Sequence, residues 1–193
     1  MISENLPDLS AFWTKGRTFE AFFQYVKELH EQKLVTGHTQ NEELFDYSLL
    51  NEKRMSRIIK HGNPFPIQSW TDNKLKYALV ITEGWCGDSA QLLPFFAKWT
   101  ALHEVDLRIV GRDENEELMD HFLTNGSRSI PIMIGLDENF KCIFRWGPRP
   151  VVIANQVKEW KSSGMEKKEM GLMMHQWYTE NKGEAAWSEW EAL

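Results

Sequence analysis

The sequence predicts an α/β domain, a central mixed sheet flanked by helices, with a helical extension before it and a helical tail after it. Three observations predict this. The run Lys76-Tyr77-Ala78-Leu79-Val80-Ile81 is apolar and β-branched, which suits a buried strand, and Ala90 to Trp99 behind it reads as a helix with a wide apolar face. From about residue 74 to 160 the signals then follow in the order strand, helix, strand, helix, strand, strand, helix. On both sides of that stretch the apolar residues recur at helical spacing.

The elements follow in chain order. Residues 1–17 read as a packed arm that Phe12 and Trp13 anchor. Thr18 suits an N-cap, and Phe19, Phe22, Phe23, Val26 and Leu29 form one helical face that ends before Gly37. A second helix is expected from Glu42 to His61, with Gly62 and Pro64 as stop signals. Its charged stripe of Glu52, Lys53, Arg54, Arg57 and Lys60 reads as a solvated face. The string Gly62-Asn63-Pro64-Phe65-Pro66 marks the boundary with the α/β domain. The expected organisation is therefore an extension over 1–72, the domain over 73–161 and a tail over 162–193.

Within the domain, Val105 to Gly111 alternates as a strand. Asp113-Glu114-Asn115 opens a helix whose buried face is Leu118, Met119, Phe122 and Leu123, and Asn125-Gly126 closes it. Pro131 to Ile134 and Lys141 to Trp146 read as an antiparallel hairpin around Asp137-Glu138-Asn139, with Ile143 and Phe144 in the core. Pro148 and Pro150 precede a helix to about Lys161, which Ser162-Ser163-Gly164 ends. The tail carries Met170, Met173, Met174 and Trp177 at helical spacing, then Trp187 and Trp190, and reads as helix packed back on the domain.

Composition narrows the function. The chain of 193 residues has a net charge of −6, which gives no electrostatic footprint for nucleic acid or an anionic membrane surface. No apolar run is long enough to span a bilayer, and MISENLPDLS has no signal-peptide pattern, so a cytoplasmic location is expected. Two cysteines make no disulfide scaffold, and none of the six histidines falls at a zinc spacing with a cysteine. No metal and no cofactor are expected, and the oligomeric state stays open.

The chemistry concentrates in Thr82-Glu83-Gly84-Trp85-Cys86-Gly87-Asp88-Ser89, where the strand turns into the helix. The first amides of a helix lack intrahelical partners and carry partial positive charge, so a thiolate at Cys86 is stabilised there. Gly87 allows a tight turn beside the sulfur. Asp88 opposes the effect, because a carboxylate repels a thiolate and raises the thiol's pKa. The balance expected is a Cys86 pKa below the free value of about 8.5. Cys142, on the hairpin strand, reads as a buried structural cysteine.

The string WCGDS resembles the thioredoxin active site, WCGPC, with Asp88 in place of its proline and Ser89 in place of its second cysteine. Pro94 stands in the following helix as a proline does in thioredoxins, and Ile130-Pro131 resembles their cis-proline pair. The fuller TEGWCGDS, with RDENEELMDHFLTNGSRSIP and WGPRP downstream, is similar to a bacterial branch of that superfamily which usually keeps a single active-site cysteine. The resemblance implies the thioredoxin-like fold, with Cys86 as nucleophile and Ser89 unable to resolve a mixed disulfide. It also implies a substrate groove lined by Trp85, Gly87, Ile130, Pro131, Trp146 and Gly147. The family's buried acid and facing lysine fall at Val80 and near Ile109 here, and Glu83, expected to be exposed, substitutes for the acid only in part.

Two functions are then expected to compete. One is a monothiol redox protein that forms mixed disulfides with protein or low-molecular-weight thiols and disulfides. The other is a peptide- or protein-binding module that keeps the groove without turnover. A metal or iron–sulfur role ranks third.

Overall fold

The computed structural model describes residues 5–62, 64–65 and 74–193. The Asn63 and Pro66 part of the expected boundary lies outside these residues. Four strands form one mixed sheet: β1 (Tyr77–Thr82), β2 (Asp106–Gly111), β3 (Ile132–Leu136) and β4 (Cys142–Trp146), in the order β2-β1-β3-β4. β1 and β2 run parallel, with Tyr77 opposite Asp106 and Thr82 opposite Gly111. Parallel neighbours need a long crossover, here through helix α4 (Gly87–Leu102), while β3 pairs antiparallel with both β1 and β4. This is the thioredoxin-like α/β arrangement, with helices at both ends of the chain.

The sheet has a core on each face. Ala78 and Val80 of β1 point to one side, where they meet Leu92, Phe96 and Trp99 of α4. Phe22 and Val26 of α2 (Phe19–Glu31) and Ile58 of α3 (Glu42–His61) complete that side with the tail. Leu79 and Ile81 point to the other side, against Leu9 of α1 (Leu9–Lys15) and Leu118 and Met119 of α5 (Glu116–Asp120). A strand buried on both faces reads as the continuous apolar run seen in the sequence.

The N-terminal helices start where their caps require. Thr18 accepts a hydrogen bond from the Ala21 amide, and Asn41 one from the Leu44 amide. The arm does pack: Trp13 stacks edge-on against Tyr77 at 4.8 Å and donates its indole N–H to the Asp106 carbonyl at 3.3 Å.

Several local expectations change. The helix expected from Asp113 to Leu123 is a 3-10 turn over Asp113–Asn115 and then the short α5. Asn115 leaves helical geometry and donates its side-chain amide to the Gly111 carbonyl at 2.8 Å, which breaks the helix. Leu123 lies beyond its end and is exposed. Ile143 is exposed too and Cys142 only half-buried, because β4 is an edge strand of the sheet. Arg54 is not on a solvated face: it is half-buried and donates to Asn51 Oδ1 at 2.9 Å.

The tail forms α7 (Lys167–Asn181) and α8 (Glu184–Trp190), after α6 (Val151–Ser162). It docks through Tyr178, Trp187 and Trp190 rather than through a methionine stripe, since Met170 is buried while Met173 is exposed. No helix among the described residues is long and apolar enough to cross a membrane.

Candidate functional site

The site is built by three parts of the chain: the β1–α4 junction, the loops at Pro131 and Pro148, and the tail. Cys86 is the N-cap of α4 and makes no side-chain capping bond. Its thiol donates to the Ile130 carbonyl at 3.4 Å. The Ile130–Pro131 and Gly147–Pro148 peptide bonds are both cis. Gly147 has φ +117°, and a Cβ there would sit 2.3 Å from the Pro131 carbonyl oxygen, so only glycine allows the two proline loops to meet.

The N-terminal helices hold the loop in front of Cys86. Thr36 Oγ1 accepts from the Gly84 amide at 2.8 Å, and the Asn51 side-chain amide donates to the Gly84 carbonyl at 3.1 Å. Trp85 donates its indole N–H to the Thr36 carbonyl at 3.1 Å, and the Arg112 guanidinium lies 4.8 Å over its ring. Trp85 is therefore held at one edge and on one face. Glu83 is only 1% exposed, against the expectation. Its Oε1 accepts from the Asp113 amide at 3.0 Å, and burial pushes its carboxyl above the usual range. A buried acid is thus present, one strand end away from the family's position at Val80.

Asp88 departs furthest from a first-turn surface residue. It is 5% exposed. Its Oδ1 accepts from the Tyr178 hydroxyl of α7 at 2.7 Å, and its Oδ2 from Arg149 of the loop before α6. Burial pushes this carboxyl up, and the Arg149 charge and the two hydrogen bonds pull it back. His175, one turn earlier on α7, lies against Gly87, 3.3 Å from where a Cβ would stand. Burial and the nearby Arg54 lower its pKa to about 4, so it is neutral around pH 7.

These neighbours reverse the expectation for Cys86. The residue is 8% exposed, and its thiol is pushed up to about 11. Desolvation is the largest cause and the Asp88 carboxylate the second. The Ser89 hydroxyl and the amides of Ser89 and Asp88 favour the thiolate but are outweighed. A helix terminus stabilises charge that water can also reach; removing the water costs more than the terminus returns. Ser89 is itself buried, and its hydroxyl is paired with that of Thr82.

The structure brings Trp85, Cys86, Gly87, Asp88, Ser89, Ile130, Pro131 and Gly147 into one region. Trp146, expected to line an open groove, is covered: it donates its indole N–H to Glu189 of α8 at 2.8 Å and packs on Trp190 at 5.3 Å. Arg149, His175 and Tyr178 were not anticipated. Arg149 stands inside the WGPRP string, so that signal existed; nothing in the spacing of His175 and Tyr178 pairs them with residues so far upstream.

A model of the thioredoxin family matches residues 37–161. No curated protein matches the sequence. Among solved structures, the chain is similar to a protein of unknown function from Pseudomonas aeruginosa, at 16% identity and a TM-score of 0.56, covering 97% of this chain and 96% of that one. It is also similar to an HIV epitope scaffold, at 17% identity and a TM-score of 0.52, covering 77% and 81%. At such identities these two likenesses show the fold.

Proposed function

Because the chain belongs to the thioredoxin family, we propose that it is a monothiol protein of thiol–disulfide exchange, with Cys86 as nucleophile and a resting state that keeps the thiol protonated. The observation that carries this reading is the place of Cys86: a helix N-cap, with the sulfur on the carbonyl that precedes the cis Pro131. When water reaches the junction, the main cause of the raised pKa is removed. The thiol then loses its proton to solvent, and the thiolate attacks a disulfide RS–SR′. A Cys86–S–S–R bond forms, and R′S⁻ leaves and takes up a proton. Position 89 has no sulfur, so a low-molecular-weight thiol must complete the cycle by attacking the mixed disulfide, regenerating Cys86 and leaving as the new disulfide with R.

A second reading, a peptide- or protein-binding module without turnover, is favoured by the pKa of about 11 and the covered Trp146. Trapping separates the two. Covalent adducts are captured on Cys86 and identified by mass spectrometry, then compared with non-covalent capture by Cys86→Ala. Adducts on Cys86 that turn over with added small thiol support exchange. The same partners recovered by Cys86→Ala, with no adduct on wild type, support binding. An oxidised Cys86–Cys142 species would contradict the monothiol cycle.

A further inference from the structure

Between the C-terminal end of α3 and α7 lies a cavity of about 540 Å³, within the range of small-molecule sites. Its bed is apolar, from Ile58, Phe65 and Phe95. Three features ask for an occupant with a negative charge and a hydrogen-bonding group. Gln91 lines the cavity and is 4% exposed, yet its side-chain amide makes no hydrogen bond to a described residue. Its amide, with two donors and an acceptor, therefore has hydrogen-bonding capacity to offer a ligand. Arg57 and Lys182 stand at the same cavity and have no ion-pair partner among the described residues, in a chain of net charge −6. The last carbonyls of α3, which would repel an anion, are already covered: Lys98 Nζ donates to the Ile58 carbonyl at 2.9 Å and to that of Gly62.

We propose that this cavity binds an amphipathic organic carboxylate: an apolar chain or ring on Phe65 and Phe95, a carboxylate held by Arg57 and Lys182, and a polar group bonded to the Gln91 amide. The site is distinct from the thiol. Tyr178 belongs to both, since it walls the cavity while its hydroxyl holds Asp88.

The test uses the full chain and needs no thiol chemistry. N-octanoylglycine, which carries an acyl chain, an amide and a carboxylate, is titrated by calorimetry beside decanoate, octyltrimethylammonium and the uncharged N-octanoylglycinamide. Saturable binding of one N-octanoylglycine per chain is expected, with the uncharged analogue at least tenfold weaker. The double variant Arg57→Glu/Lys182→Glu changes exposed residues only; it should keep its unfolding temperature and lose at least tenfold in affinity. Gln91→Leu should abolish the preference for N-octanoylglycine over decanoate. Absence of saturable binding, equal binding of the cationic amphiphile, or undiminished affinity in the charge-reversed variant would overturn the proposal.

Discussion

The two cysteines of this chain share a raised thiol pKa but sit in different surroundings. Both are pushed up to about 11, and in both burial is the leading cause. For Cys142 burial is the only cause: its thiol donates to the Phe144 carbonyl at 3.4 Å on an edge strand, with no charged group or helix terminus acting on it. Around Cys86, burial and the Asp88 carboxylate oppose a set of donors already aimed at the sulfur. Exposure to water would turn Cys142 into an ordinary thiol. The same exposure would leave Cys86 at a helix N-terminus, where a thiolate is favoured. On the proposed reading, a high pKa marks an inert cysteine in one place and a reserved one in the other.

The difference can be broken most forcefully at Arg149. Arg149→Met strands the Asp88 carboxylate inside the protein and should cost about 3–5 kcal/mol of stability in urea unfolding near pH 7. Among the described residues, Cys142 has no ion pair beside it to break. A cost below about 1 kcal/mol for Arg149→Met would show that the pair does not shape the Cys86 site.

The pH dependence of stability gives the next effect. Cys86 has its folded pKa raised from 9.0 to about 11, so the folded state keeps a proton that the unfolded state has already lost between those values. The contribution is fully present below pH 9 and is lost as pH rises through 11, about 2–3 kcal/mol in all. Comparing wild type with Cys86→Ala by denaturant unfolding from pH 8 to 11 isolates it. The two curves should converge in stability as pH rises, and parallel curves would mean that the thiol is not held protonated.

A smaller change should separate the cysteines directly. Asp88→Asn removes the repelling charge and leaves the Arg149 guanidinium facing the site, so the Cys86 pKa should fall, by about one unit. Alkylation rates followed across pH by peptide mass spectrometry should show this fall at Cys86 and none at Cys142.

The part of this site that the sequence made legible is the part that is local. Lys76 to Trp99 shows a strand, a turn and a helix in one window, and Cys86 stands at their junction. Pro131 and Gly147 are legible through the family resemblance. Burial was not legible. For Asp88 and Trp146 it comes from the tail: Tyr178 of α7 reaches an aspartate ninety positions upstream in the chain, and Glu189 of α8 covers Trp146, while Cys86 lies in the core cluster of Leu9, Leu118 and Ile130. A helical repeat of Met and Trp announces a packed face without saying where it packs. The raised Cys86 pKa is hidden from the sequence because the helix terminus is readable from neighbours in sequence, while desolvation depends on distant segments.

The central claim is that Cys86 is a nucleophile kept quiet by burial, with α7 held against its neighbours Gly87 and Asp88. Tyr178→Phe removes the hydroxyl that ties α7 to Asp88, a hydrogen bond to a charged group worth about 1.5–3 kcal/mol. Opening of the tail should then become about 10–100 times more frequent. Pulsed alkylation of wild type and Tyr178→Phe at pH 7.5, with both cysteines quantified in the same sample, measures this. A rise of at least tenfold at Cys86 with Cys142 unchanged is the result predicted; an equal rise at both cysteines, or none at Cys86, would contradict it.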